Sequence, residues 1–394
     1  MDQLFATRMN NINKSFIREI LKVTLNPEII SFAGGLPNPE SFPVEGIRNA
    51  CVKVLDTDAK NALQYSTTEG YMPLREYIAE RYMKKKSLKI SPENILITNG
   101  SQQAIDLIGK IFLNKNDHII IEKPGYLGAI QALSIYEPEF HPVKLNVDGI
   151  DIEILKNILK KFNIKLIYSV PNFQNPSGIS YSEEKRKAVA SVLNDYPAIF
   201  IEDDPYGDLR FTGTDKPSVK IFKEKNIILL GTFSKIVAPA FRLGWICAEK
   251  HIMEKLVIAK QAADLHTNYF SQRVVYQHLI DNPLDEHILN IRKLYKDQHN
   301  AMITAIKKYF PKNIHYTNPE GGMFLWITLP ESVSAIQLFD IAIKENVAFV
   351  PGDPFYVDEK NVNTLRLNYS CESETNIEEG IRRLSKAIST LSTP

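Results

Sequence analysis

The chain has 394 residues, a formal net charge of +1 and 24% charged residues, so nothing in its electrostatics points to nucleic acid or an anionic membrane. Its three cysteines, Cys51, Cys247 and Cys371, are scattered with no CxxC pair, which argues against a structural zinc site or a disulfide framework and fits a reducing compartment. No apolar run approaches the ~20 residues of a membrane span, and the N-terminal stretch lacks a signal-peptide core; the expectation is a soluble, cytoplasmic protein with room for two domains.

The first predicted element is a short amphipathic helix over residues 15–23, with Phe16, Ile17, Ile20 and Leu21 on one face and Arg18 off that stripe. Between residues 94 and 247, apolar runs alternate with helical patterns. Runs at 95–98, 118–121, 165–170, 198–201, 227–230 and 243–247 are continuous rather than alternating in polarity. They predict strands buried on both faces, as in a mostly parallel sheet covered by helices. Helical patterns at 101–112, 153–162 and 182–194 separate them, which argues an α/β layered domain. Past residue 253 the pattern changes. A long helix over 283–309, an apolar run at 321–329, a helix over 334–345, strands at 347–350 and 364–368 and a last helix over 377–391 predict a smaller α+β domain.

Several of these runs end in groups with chemistry. The run at 227–230 leads into Gly231-Thr-Phe-Ser-Lys235, with Arg242 seven positions on. A lysine at a strand end can be desolvated and lose its proton, which makes its amine a nucleophile toward carbonyls. Thr232, Ser234 and Arg242 offer the hydrogen bonds and charge that a phosphate needs. A reactive amine beside an anion clamp suits a phosphorylated aldehyde cofactor, and pyridoxal 5′-phosphate is the obvious candidate. Asn99-Gly-Ser-Gln-Gln103 joins a strand to a helix, which makes Ser101 and Gln102 an anion site or a plain helix cap. Ile201-Glu-Asp-Asp-Pro-Tyr206 ends a buried strand in carboxylates, where Asp203 is either the partner of a pyridinium nitrogen or an ion-paired loop residue. Asn175, in Pro171-Asn-Phe-Gln-Asn-Pro-Ser-Gly178, either reaches a cofactor oxygen or only shapes a turn. Tyr126 either stacks on a planar ring or fills core. Their common place at strand C-termini is where ligands sit in α/β sheets.

These motifs together make the chain resemble the fold-type I, class I/II aminotransferases, and within them the 2-aminoadipate/kynurenine aminotransferase group. The resemblance runs from Ile30-Ser-Phe-Ala-Gly-Gly-Leu-Pro-Asn-Pro39 and Gln64-Tyr-Ser66 through the motifs above to Pro319-Glu-Gly-Gly-Met323 and Thr364-Leu-Arg-Leu-Asn368. It implies a large domain with a mostly parallel seven-stranded sheet over residues 46–285, a small α+β domain over 286–394, and an N-terminal arm over 1–45 joining the latter. It implies that Lys235 forms the Schiff base with pyridoxal phosphate and shuttles the proton, that Asp203 pairs with the ring nitrogen, and that Tyr206 and Asn175 bond the ring hydroxyl oxygen. Ser101, Gln102, Thr232, Ser234 and Arg242 would hold the phosphate and Tyr126 would stack on the ring. Tyr65 would reach the phosphate across a homodimer interface, Arg366 would grip the substrate α-carboxylate beside Gly35, and Arg18 would hold a distal carboxylate. No metal is implied. The implied activity is amino transfer between an L-amino acid and a 2-oxo acid, with 2-oxoglutarate as acceptor; a β-lyase or decarboxylase sharing every cofactor residue is the alternative. One departure stands out: the family commonly has Pro-Gly-Leu-Arg where this chain has Pro239-Ala-Phe-Arg242, so a local backbone difference is expected.

Overall fold

Ile, Leu and Val runs too uniformly apolar to leave a wet face become buried strands in a computed structural model, which describes residues 4–9, 20 and 26–392. The strands are β1 (Ile30–Ser31), β2 (Ile95–Thr98), β3 (His118–Lys123), β4 (Glu139–Asn146), β5 (Gly149–Ile150), β6 (Ile164–Ser169) and β7 (Ile199–Asp203). There follow β8 (Ile227–Thr232), β9 (Gly244–Cys247), β10 (His315–Tyr316), β11 (Phe324–Thr328), β12 (Val347–Ala348), β13 (Val350–Pro351) and β14 (Thr364–Asn368).

The large sheet has the order β2-β9-β8-β7-β6-β3-β4-β5. Strands β4, β3, β6, β7 and β8 run parallel, and β9 is antiparallel to both β8 and β2. Seven strands of this sheet match the expected number; the eighth, β5, is a two-residue edge strand hairpinned onto β4. Strand β4 escaped the sequence reading because Pro142 and an alternating burial pattern mark a half-exposed strand near the sheet edge rather than a central one. The helices Val44–Ala62, Met72–Lys86, Leu127–Ser134, Lys250–Asp264 and Tyr269–Asp281 add to those expected.

The second sheet, β10-β11-β14-β13, is antiparallel. The apolar run at 347–350, expected as one strand, is split between two sheets. Val347–Ala348 pairs in parallel with β1, and Val350–Pro351 pairs with β14 at Leu365 and Arg366. This split brings the segment after β1 against β14: Phe32 N–H donates to Ala348 O (2.8 Å), and Asn368 N–H donates to Phe32 O (2.8 Å). The 33–37 segment is thereby carried to the C-terminal edge of the large sheet, where the chemistry collects. The helix expected over 15–23 lies outside the described residues except for Ile20, which is buried with Ala33, Leu127, Trp326 and Phe355. Among the described residues no helix is long and apolar enough to cross a membrane.

Candidate active site

A cavity of about 510 Å³ opens at the C-terminal ends of the parallel strands, lined by Lys235, Asp203, Asn175, Tyr126, Arg242 and Arg366 among others. They come from five chain segments, Lys235 and Arg242 sharing the connection from β8 to β9. After β8 the chain delivers Lys235, half-buried, whose Nζ donates to Gly35 O at 2.8 Å. Burial disfavours the ammonium and holds its pKa down to about 8, helped by the charges of Arg366 and Arg242 and opposed by the nearby Cys371 thiol. An amine in that range exchanges a proton readily near neutral pH.

The three carboxylates at the end of β7 separate by their partners. Glu202 accepts from Ser218 Oγ (2.6 Å) and Val219 N–H (3.0 Å), with Arg186 at 3.8 Å. Asp204 accepts from Asn172 Nδ2 (2.8 Å) and Gly207 N–H (2.9 Å). Asp203 lines the cavity; its Oδ2 accepts from Tyr168 O–H at 2.5 Å, while its buried Oδ1 has no hydrogen-bond partner among the described residues. Burial pushes its carboxyl up to about 7 against the pull of Tyr168. A buried, unpartnered carboxylate oxygen on a cavity-lining residue is a ready acceptor for a cationic N–H.

The anion end lies between the turns after β2 and β8. The helix Gly100–Phe112 begins one residue before the predicted start, with Asn99 as N-cap, and Ser101 does not cap it. Ser101 Oγ is instead buried without a partner, beside first-turn N–H groups that have none within the helix. The Gln102 side chain is tied to Gly128 O (2.7 Å). Asn99 is fixed from behind, donating through Nδ2 to Asp264 (2.5 Å) and through N–H to Gln103 (2.8 Å), while the buried Lys260 donates to both (2.9 Å each). Thr232 and Ser234 hydroxyls lie 3.0 Å apart. Arg242 is exposed and, among the described residues, held only by long contacts to Asn99 O (3.5 Å) and Pro239 O (3.4 Å), which leaves its guanidinium available to an anion. Gly100 sits at φ +74°, and a Cβ there would stand 2.6 Å from Arg242 Nη2, so only glycine admits both. The Pro-Ala-Phe-Arg departure is absorbed simply: Ala240 lies within a short 3₁₀ turn, Pro239–Phe241, and the left-handed φ of +52° falls on Arg242.

Arg366 projects from the middle of β14 and is buried with its guanidinium over the rings of Phe324 (4.5 Å) and Phe355 (5.3 Å). Nη1 donates to Asn175 Oδ1 (2.8 Å) and Nη2 to Ala33 O (2.7 Å). These bonds use two of five N–H donors, and Nε has no partner among the described residues. Burial pulls its pKa down to about 10 against the opposing pull of Tyr206 and Tyr126. Gly35 sits against Phe324, where a Cβ would press to 3.3 Å on the ring. Tyr126 stacks on Tyr168 at 6.4 Å and Tyr206 packs edge-on to Phe324 at 5.8 Å. Burial pushes both phenols up, Tyr126 to about 12.

One group the sequence reading passed over organises the turn that carries Asn175. Glu122, buried on β3, accepts from Ser169 Oγ (2.7 Å), Tyr181 O–H (2.7 Å), Val170 N–H (3.1 Å) and Gln174 Nε2 (3.2 Å). Gln174 also bonds Pro124 O (2.7 Å) and Ser177 N–H (2.8 Å), which pins the turn from within. Tyr168 was likewise missed, because a tyrosine inside a buried strand reads as core. Of the other predicted residues, Tyr65 does not line the cavity of this chain. Tyr65 is 78% exposed, edge-on to His266 at 5.8 Å, and Arg18 lies outside the described residues.

The site fits pyridoxal phosphate on its own chemistry. A proton-exchanging amine would suit the aldehyde, an orphaned carboxylate oxygen the ring nitrogen, and an orphaned hydroxyl at a helix N-terminus with a loosely held arginine the phosphate.

The family model described as "Aminotransferase class I and II" matches residues 32–384. The chain is 42% identical to aromatic-amino-acid aminotransferase 1 of Thermococcus litoralis, over 98% of this chain and 94% of that protein. Its structure is similar to Pyrococcus horikoshii kynurenine aminotransferase, solved with PMP, with a TM-score of 0.96 and 42% identity over 100% of this chain and 98% of that one. It is also similar to the α-aminoadipate aminotransferase LysN of Thermus thermophilus, solved with N-(5'-phosphopyridoxyl)-L-leucine, with a TM-score of 0.92 and 40% identity over 99% and 98% of the two chains.

Proposed function

The chain belongs to the class I and II aminotransferases, which use pyridoxal 5′-phosphate, and from that premise we propose that it moves amino groups between L-amino acids and 2-oxo acids, with 2-oxoglutarate a good acceptor and with 2-aminoadipate, or glutamate toward other 2-oxo acids, among its better donors. The observation that carries the assignment of the site is the meeting of Lys235, with its lowered pKa, and the orphaned Asp203 Oδ1 in one cavity.

When bound, pyridoxal phosphate supplies an aldehyde carbon that takes up the amino group and a ring that accepts the electron pair of the substrate's α C–H bond. The protein's part is to bind, orient and move protons. Arg366 receives the α-carboxylate with its free N–H groups, held flat by Phe324 and Phe355 and turned by Asn175 and Ala33 O. Lys235, with a pKa near 8, takes the α-proton as a base and returns it as an acid. Asp203 would keep a proton on the ring nitrogen, and the Tyr168 hydrogen bond favours the Asp203 carboxylate that this needs. Tyr206 and Asn175 would donate to the ring hydroxyl oxygen, Tyr126 would cover the ring face, and Ser101, the Gln102 amide, Thr232, Ser234 and Arg242, which with them line the cavity, would hold the phosphate.

In this reading the active unit is a homodimer, with the exposed Tyr65 completing the partner's phosphate site. Residues 46–285 form a large domain and 286–394 a small one joined by the arm 1–45; in support, the large sheet lies wholly within 95–247 and β1 pairs with β12. Free Cys51, Cys247 and Cys371 suit a cytoplasmic location. Arg18 is the residue we assign to the distal carboxylate. Its near neighbour in sequence, Ile20, is buried with Leu127 and Phe355, both of which line the cavity. A panel of amino donors assayed with 2-oxoglutarate, in the wild type and in Arg18→Ala, tests this. Loss confined to dicarboxylate donors, on the order of 10- to 150-fold in kcat/KM, is expected from one charge-assisted contact. An equal loss on every donor, or none on any, overturns the specificity assignment.

A further inference from the structure

At the edge of the large sheet opposite the active site, two histidines and a glutamate meet without any role in amino transfer. His118 opens β3 and Glu139 opens β4, where the parallel register sets the two residues side by side. His141 follows Glu139 by two and therefore projects from the same face of β4. His118 Nδ1 lies 3.1 Å from His141 Nε2 and 3.2 Å from Glu139 Oε2, and the ligand atoms of all three fall within 4.8 Å of one another. A tetrahedral zinc with bonds of about 2.0–2.1 Å sets its donors roughly 3.3–3.4 Å apart, so two edges of the triangle already approach the required spacing.

The surroundings suit a bound ion. Phe162 forms an apolar wall against both imidazoles, with ring centroids 5.0 Å from His118 and 4.2 Å from His141. The neighbouring Asp117 does not compete, since it is engaged by Lys165 Nζ (2.8 Å) and Asn114 N–H (2.6 Å). His118 and His141 are partly buried and Glu139 is exposed, so an ion can enter from solvent and keep a water as fourth ligand. Two imidazoles with one carboxylate favour a borderline transition metal over magnesium or calcium. Lys161, whose Nζ stands 4.9 Å from the Phe162 ring centroid, is a nearby cation, beside the Asp117-paired Lys165, that such an ion must tolerate.

We propose that His118, Glu139 and His141 form a binding site for a divalent transition-metal ion of the zinc class, which clips the first turns of β3 and β4 together. Strand β3 runs from this clip to the turn that carries Tyr126, so the ion stabilises the scaffold without touching the reacting groups.

The test uses metal-stripped holoenzyme without a histidine tag, titrated with Zn²⁺ against a chromophoric chelator and with Co²⁺ followed by its visible absorption. One ion per chain is expected, with a rise in Tm on adding Zn²⁺. Glu139→Gln, at an exposed position, and His141→Gln should each weaken binding by at least about 10-fold and shrink the rise in Tm at a given Zn²⁺ concentration, while transaminase activity and cofactor content stay at wild-type level. The assignment is overturned by the absence of stoichiometric binding, or by binding that both variants retain.

Discussion

Replacing Tyr168 by phenylalanine removes a single oxygen from the site while leaving every group that touches the cofactor in place. Its O–H is the one side-chain donor seen on Asp203 among the described residues, at 2.5 Å and fully buried. A hydrogen bond to a charged group contributes about 1.5–3 kcal/mol, which corresponds to roughly 1–2 pKa units. Burial already pushes the Asp203 carboxyl up to about 7. Without Tyr168 the carboxyl rises further, by about the 1–2 units of the lost bond. A ring cation lowers the starting value in the loaded enzyme, but the difference between the two proteins remains. The active form is the carboxylate, so activity is lost as pH falls through this pKa. Tyr168→Phe should therefore move the acidic limb of the kcat/KM profile upward by about 1–2 units and lower kcat/KM by about 10- to 100-fold at pH values on that limb, with little change well above it. The assay is transamination with saturating cofactor from pH 5 to 9, with circular dichroism to verify the fold. A variant within twofold of wild type at every pH would refute the reasoning that Asp203 depends on this bond.

Three further outcomes follow from the same geometry. Capture of pyridoxal phosphate by the cofactor-free protein should accelerate with pH and level off just above the Lys235 pKa of about 8; a rate still climbing at pH 10, as for an ordinary lysine of pKa ~10.4, contradicts the desolvated amine. Arg366→Lys keeps the charge but loses the fork, and should raise KM for amino donors by about 10- to 150-fold while cofactor content holds; an unchanged KM removes Arg366 from substrate binding. Mixing Tyr65→Ala protein with Lys235→Ala protein should restore activity neither shows alone, whereas a mixture as inactive as its parts rules out a shared site.

The site was legible where chemistry sits at the end of an apolar run. Lys235 and Asp203 both follow runs that become central parallel strands, so position and residue type agreed. The local ambiguity at Glu202, Asp203 and Asp204 yields only to three-dimensional partners: Glu202 is satisfied by Ser218 and Asp204 by Asn172, sixteen and thirty-two residues away. Glu122 and Tyr168 left no signal, since each resembles a strand residue until its distant partners are known. Strand β4 was hidden by Pro142, and the splitting of 347–350 between two sheets depends on pairing with β1, more than three hundred residues earlier. The pairing of His118 with Glu139 and His141 is a matter of strand register, which single-chain periodicity does not encode.

The most direct test of the account is to reduce the purified, cofactor-loaded protein with borohydride, digest it and locate the pyridoxyl group by peptide mass spectrometry. The account predicts the modification on Lys235, together with loss of transaminase activity in Lys235→Ala protein that still retains cofactor through its phosphate and ring contacts. A modified lysine elsewhere in the chain, or no covalent attachment after reduction, would contradict it.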